Sequence, residues 1–184
     1  MMVVAVAIAI APLILNQFLF QNVDSIPLSE VGAPYQLVPG SIYDGDTLRV
    51  TDGSQEIKVR LCGIDAPERD MPMGVESRDH LRNIVAQGDG TIVVVPIETD
   101  RYGRLVADLF IPIEEDWELP VNAQMVADGM AYHYEQFSSR CLRPQLLANV
   151  EAEAKANALG VWAAPDAMKP WEYRKRYPKG TAGV

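Results

Sequence analysis

Four carboxylates and two arginines, spread from Asp44 to Arg104, are the residues of this chain whose types could act together as chemistry. Asp44 and Asp46 stand in Tyr-Asp-Gly-Asp-Thr, Asp65 and Glu68 in Gly-Ile-Asp-Ala-Pro-Glu, Arg60 just upstream, and Arg104 closes Asp-Arg-Tyr-Gly-Arg. The set holds no histidine or thiolate, and ligation by oxygen alone selects hard cations, Ca²⁺ or Mg²⁺, over zinc. Guanidinium forks match phosphate oxygens, with two hydrogen bonds and a charge that does not titrate away. A cation held by carboxylates, two arginines and a spare carboxylate to orient or deprotonate water together suit phosphodiester cleavage. Acidic turns are more often solvated loops, so the bare cluster is a candidate only.

Stepping from the charges to their supports, Ile42–Val50 and Ile57–Cys62 read as two strands. Ile57, Val59 and Leu61 alternate with Lys58, Arg60 and Cys62, the period of a half-buried strand. Thr51-Asp52-Gly53-Ser54 between them is turn chemistry, so a hairpin is expected, bringing oxygen ligands from both strands together. Further on, Glu76–Val85 reads as a helix, Thr91–Val95 and Leu105–Ile111 as strands, and Val121–Asp128 as a short helix stopped by Gly129. Leu146, Val150 and Ala154 recur at helical spacing, and Gly160 ends that helix before Trp162. Five or so short strands with three helices predict an α+β domain around a small barrel.

The chain has 184 residues, enough for one compact domain with extensions. Its formal charge of −9 argues against indiscriminate attraction to nucleic acid over the whole surface. The charge is uneven: residues 1–48 carry no Lys or Arg, whereas Lys169, Arg174, Lys175, Arg176 and Lys179 crowd the end of the chain. Met2–Leu15 is almost continuously apolar and Phe18-Leu19-Phe20 extends it, which predicts a signal peptide or membrane anchor over residues 1–22. The protein is therefore expected outside the cytoplasm, touching the membrane through residues 1–20 if that segment is uncleaved. Residues 23–38, with Pro27 and Pro34, read as a linker, 39–164 as the folded domain, and 165–184 as a basic aromatic tail, solvated and mobile. Cys62 and Cys141 allow one disulfide, favoured by export; the alternative is two unpaired buried thiols. His80 and His133 have no second ligand at metal spacing and read as surface residues.

Three blocks, Asp44-Gly-Asp-Thr47, Arg60-Leu-Cys-Gly-Ile-Asp-Ala-Pro-Glu68 and Asp100-Arg-Tyr-Gly-Arg104, resemble the signature segments of the staphylococcal nuclease (thermonuclease) family, in order and at similar spacing. Gly129-Met-Ala131 and the run from Ala152 to Trp162 match as well, so the resemblance spans about Pro39 to Trp162. It implies a five-stranded OB-fold-type β-barrel with three α-helices, preceded here by the N-terminal hydrophobic segment. The implied activity is Ca²⁺-dependent endonucleolytic hydrolysis of DNA and RNA by a monomer, breaking the 5′ P–O bond and leaving 3′-phosphate ends. In that scheme Asp46, Asp65 and the carbonyl of Ala66 hold Ca²⁺, and Asp44 supports them from behind. Glu68 is the general base or water-positioning group, and Arg60 and Arg104 stabilise the phosphate. Arg101 and Tyr102 match contacts to a terminal phosphate, and Tyr132 and Tyr134 the tyrosines of the nucleotide pocket. The alternative function is a nuclease-fold module that binds nucleic acid without cutting it; such a module is expected to have lost Glu68 or an arginine. The chain departs from the family at Ala66, at a shorter and less basic loop after Glu68, and at the closeness of Tyr132-His133-Tyr134 to Gly129.

Overall fold

The computed structural model describes residues 32–114, 117–164 and 166–178; the N-terminal hydrophobic segment lies outside them. Five strands close a barrel: β1 (Ala33–Leu37), β2 (Thr47–Thr51), β3 (Glu56–Leu61), β5 (Thr91–Thr99) and β6 (Leu105–Glu114). Their order is β3-β2-β1-β5-β6, and a parallel pairing of β3 with the start of β6 joins the edges. The second half of β6 pairs instead with β7 (Trp117–Pro120). A two-residue ladder joins β4 (Ile64–Asp65) to β8 (Tyr132–His133) outside the barrel. Among the described residues closure leaves no long free edge, and the predicted β2–β3 hairpin forms, Thr47 opposite Arg60 and Thr51 opposite Glu56.

Alternation explains which side chains fill the barrel. Leu48, Val50, Val59 and Leu61 are sealed inside, as are Ile92, Val94, Ala107, Leu109 and Ile111 on β5 and β6. Proline cannot donate to a ladder, and Pro96 sits where the β5–β6 register slips, before Glu98. Three helices cover the barrel: α1 (Gly74–Val85), α2 (Val121–Ala127) and α3 (Pro144–Ala156). Each offers an apolar stripe, Leu81, Ile84 and Val85 from α1, Val121, Met125 and Val126 from α2, Leu146, Leu147 and Val150 from α3. At about 25 cal/mol per Å² of apolar surface, this shared core is the main favourable term in folding.

Two expectations need correcting. Residues 33–37, placed by composition in the linker, are barrel strand β1; Pro34 is tolerated because half of a strand's N–H groups need no partner in the ladder on a given side. The tail expected to be mobile contains a fourth helix, α4 (Pro170–Arg176), docked on the domain. Proline at its first position, where a missing N–H costs nothing, and Glu172, whose carboxylate accepts the Lys169 N–H at 3.3 Å, begin it. Cys62 and Cys141 form a disulfide with Cα atoms 5.8 Å apart, tying the end of β3 to the segment before α3.

Candidate active site

The acidic residues converge where the β2–β3 hairpin leaves the barrel. Asp46 is almost buried at the end of the turn preceding β2. Its N–H donates to Asp44 Oδ1 at 3.2 Å, its Oδ1 accepts from Thr47 Oγ1 at 3.0 Å and its Oδ2 from the Ala66 N–H at 2.8 Å. That last bond spans twenty residues and locks the first motif to the second. Gly45 is required here: a Cβ would stand 1.8 Å from Ser77 Oγ and 2.9 Å from Ala66 Cβ, so the turn packs flush on α1.

Asp65 comes from β4 with its side chain wholly out of solvent. Arg60, on the outer face of β3, reaches both aspartates, 2.9 Å from Asp46 Oδ2 and 2.9 Å from Asp65 Oδ1. Removing that guanidinium would take from Asp46 the cation it pairs with in a desolvated site, the costly way to break a buried ion pair. Burial raises the Asp65 carboxyl above its ordinary pKa despite the arginines. Asp44, half-buried, is pushed up to about 6, first by burial and then by the charge of Asp46. Glu68 lies at the mouth, its side chain 18% exposed. Its carbonyl accepts from the Met71 N–H at 2.9 Å, and Gly74 crosses so closely that a Cβ would lie 2.0 Å from the Glu68 oxygen. The short loop after Glu68 is thereby braced on the start of α1.

Arg104 is brought to the same face by strand register. Arg60 is paired with Val106 in the parallel β3–β6 ladder, and Arg104 precedes Val106 by two residues, so the two arginines share a side. Strand spacing puts their Cα atoms roughly 8 Å apart. The Arg104 head is turned onto Asp100, with Nε donating to Oδ2 at 2.8 Å and Nη2 2.7 Å from the same oxygen. The Asp100 carboxylate also accepts the Tyr102 and Arg104 N–H groups, each at 2.9 Å, so the tight turn and the arginine are fixed together. Arg101 and Tyr102 are exposed on that turn, with the Arg101 guanidinium 4.9 Å from the Tyr102 ring centre.

The two tyrosines part company. Tyr132 faces Asp65 across the β4–β8 ladder but is buried, edge-on to Trp162 at 5.0 Å and to Trp171 at 5.9 Å. Burial, then Glu151 and Glu172, push its hydroxyl up to about 12, so it stays protonated. Tyr134 lies nearer the surface with its ring flat against Trp171, 4.9 Å away and 6° from parallel. Of the histidines, His80 pairs with Asp128 at 2.7 Å, and half-buried His133 bonds Ser138 Oγ at 2.8 Å.

What residue spacing missed is Arg174. It sits on α4, yet its Nη2 lies 2.7 Å from Asp65 Oδ2 and its Nη1 lies 3.1 Å from Asp65 Oδ1 and 3.2 Å from Glu68 Oε1. The Tyr173 hydroxyl donates to Asp70 at 2.6 Å and reinforces the dock. Pro170 and Glu172 at helix-starting positions were the signal for this helix, but nothing local says where it goes.

A barrel that presents buried carboxylates, an arginine bridging them and a second arginine on the same face defines the class of enzymes that handle phosphate esters through charge. The comparisons with known proteins narrow it. The family described as staphylococcal nuclease homologue matches residues 58–164. Protein ParB of Escherichia coli is 37% identical over 138 residues, covering 73% of this chain and 76% of that protein. An uncharacterized endonuclease of Escherichia coli is 34% identical over 135 residues (73% and 82%), and a micrococcal nuclease of Shigella flexneri 33% over 144 residues (76% and 80%). The chain belongs to the staphylococcal nuclease family, and its activity is that of a nuclease, a hydrolase acting on nucleic acid.

Proposed function

We propose that this nuclease is a calcium-dependent endonuclease of DNA and RNA that breaks the 5′ P–O bond and leaves 3′-phosphate ends. The observation that carries the reading is Arg60 joined at once to Asp46 and Asp65, which gathers residues from three segments into one desolvated group of charges. Asp46, Asp65 and the Ala66 carbonyl are the donors that would hold the cation; all are hard oxygens, and burial of the two carboxylates calls for positive charge beside them. When bound, Ca²⁺ supplies Lewis-acid neutralisation of charge at the phosphate.

The remaining steps belong to the chain's own side chains. Glu68, at the mouth, orients a water and takes its proton as the water attacks phosphorus in line with the departing 5′ oxygen. Arg60, held in one orientation by its two aspartates, donates to the phosphate oxygens as charge grows on them. Arg104 on the same face donates to others, prepositioned by Asp100. Arg101 and Tyr102 receive a terminal phosphate at the exposed turn, and Tyr134, with Tyr132 behind it, forms the nucleotide pocket. Asp44 supports the Asp46 turn from behind.

The same reading puts the protein outside the cytoplasm as a monomer, secreted or held at the membrane by residues 1–20. The Cys62–Cys141 bridge supports that location, because structural disulfides persist in oxidising compartments.

Denatured DNA and RNA incubated with the protein and excess Ca²⁺ should be cut into fragments bearing 3′-phosphates, and EDTA should abolish the cutting. Intact substrate, bound but uncleaved in Ca²⁺, would make the chain a binding module with a nuclease fold.

A further inference from the structure

Two features that a nuclease pocket offers its ligands are taken up by the chain's own helix α4. Trp171 lies flat on Tyr134, as a nucleobase would, with centroids 4.9 Å apart. Three residues on, and so on the same face of α4, Arg174 puts its guanidinium on both oxygens of Asp65 and on Glu68. These are the lone pairs that a divalent cation and an activated water would need. The approach to the carboxylates is therefore filled by a positive charge that does not titrate away.

Two further contacts, one from α4 and one from the residue before it, fall beside the site. Tyr173 donates to Asp70, two residues after Glu68. Lys169 Nζ lies 4.0 Å from the Tyr132 ring centre and 3.9 Å from that of Trp162, closing the pocket from behind. Yet α4 has only seven residues, too few to be helical without its dock. Its apolar anchorage is Pro170 and part of Trp171, with Lys175, Arg176 and Tyr177 in solvent. A seven-residue helix whose described contacts are mostly polar or edge contacts at the surface is an element that opens locally at low cost.

We propose that α4 is a built-in competitor: Arg174 occupies the cation position and Trp171 the base position, and metal and nucleic acid must displace the helix to engage the site. The proposal rests on the calcium reading above. Arg60 touches only Oδ1 of Asp65, whereas Arg174 covers Oδ1 and Oδ2 together, so Ca²⁺ and the Arg174 guanidinium compete for that carboxylate as two cations at one position. Metal binding and helix release are then coupled, and the free energy that holds α4 down is subtracted from the apparent affinity for Ca²⁺. An enzyme built this way stays closed where Ca²⁺ is scarce and opens where it is abundant.

Calorimetric titration of Ca²⁺ into the full chain, without nucleic acid, tests the coupling in three proteins: wild type, Arg174→Ala and Arg176→Ala. The last removes the same charge from the same helix at a solvent-exposed position. The competitor predicts a dissociation constant about tenfold lower for Arg174→Ala, with less than a twofold change for Arg176→Ala. Equal affinity of Arg174→Ala and wild type, weaker binding by Arg174→Ala, or equal gains in both variants would overturn the proposal and leave the calcium reading standing. Absence of Ca²⁺ binding in all three would overturn both.

Discussion

The short segment from Arg60 to Asp65 feeds two buried polar regions that are built on opposite terms. On one side, Asn122 fills the corner between β3, β6 and α2. Its Oδ1 accepts the Leu109 N–H at 3.0 Å, and its Nδ2 donates to the carbonyls of Cys62 at 3.0 Å and Ala107 at 3.2 Å. Next to it Asp108 accepts the Leu142 N–H at 2.7 Å, and the Cys62–Cys141 bridge closes the corner. Cys62, Cys141 and Asp108 have the spacing of a metal cluster, but both sulfurs are spent on each other. On the other side, Asp44, Asp46, Asp65 and Glu68 meet Arg60 and, from a distant part of the chain, Arg174. Acid outnumbers base there. A balanced buried network holds a fold in one arrangement, whereas a pocket with a surplus of one charge is built for a ligand carrying the other.

That contrast can be broken from either side. Glu68→Gln keeps the shape of the mouth but removes the proton acceptor, so turnover on denatured DNA should fall about 10³-fold with the melting temperature unchanged. A rise in KM with kcat unchanged would show that Glu68 binds rather than reacts. In the balanced corner the expectations reverse. Asn122→Ala strands the Leu109 N–H and two carbonyls in the core, and denaturant unfolding should register a loss of about 3 kcal/mol while turnover of the folded fraction persists. Loss of turnover without loss of stability would merge the two regions.

The smallest effect sharpens the contrast by pH. Burial lifts the Asp108 carboxyl from 3.8 to about 6, against the pull of the Leu142 N–H and Arg143. A carboxyl whose pKa is raised on folding favours the fold in acid, below about pH 4. That contribution is lost as pH rises from about 4 through 6, and amounts to at most about 3 kcal/mol. Asp108→Asn keeps an acceptor for Leu142 and removes the charge. Its melting temperature should therefore exceed that of wild type at pH 8 and match it near pH 4. A variant less stable at pH 8 would mean that attraction to Arg143 outweighs desolvation.

How much of this was legible in advance depends on how far each interaction reaches along the chain. The β2–β3 hairpin could be read because period-two alternation and a Thr-Asp-Gly-Ser turn are local, and the two strands do pair, Thr47 opposite Arg60. Strand β1 was hidden by Pro34, since composition does not say whether a given N–H faces a partner. The three signature blocks named the charged set, but the bond from Ala66 to Asp46 and the β3–β6 closure that aligns Arg104 with Arg60 exist only once the barrel is shut. The sharpest failure was the tail. Trp171, Tyr173 and Arg174 among basic neighbours look like a solvated terminus, because nothing adjacent in sequence tells a guanidinium that its partners lie over a hundred residues upstream.

By itself, then, the order of residues determined much of the inventory: most of the barrel strands and the three covering helices, which acids and arginines are on hand, and which family they belong to. These follow from periodicity, turn chemistry and motif, each acting over a few neighbouring residues. Only the folded chain decided what each charge faces. Barrel closure set Arg60 between two aspartates, the β4–β8 ladder set Tyr132 opposite Asp65, and α4 returned to lay Arg174 on the carboxylates. Charge pairing falls off with distance in space and takes no account of separation along the chain, so it is settled by tertiary structure alone.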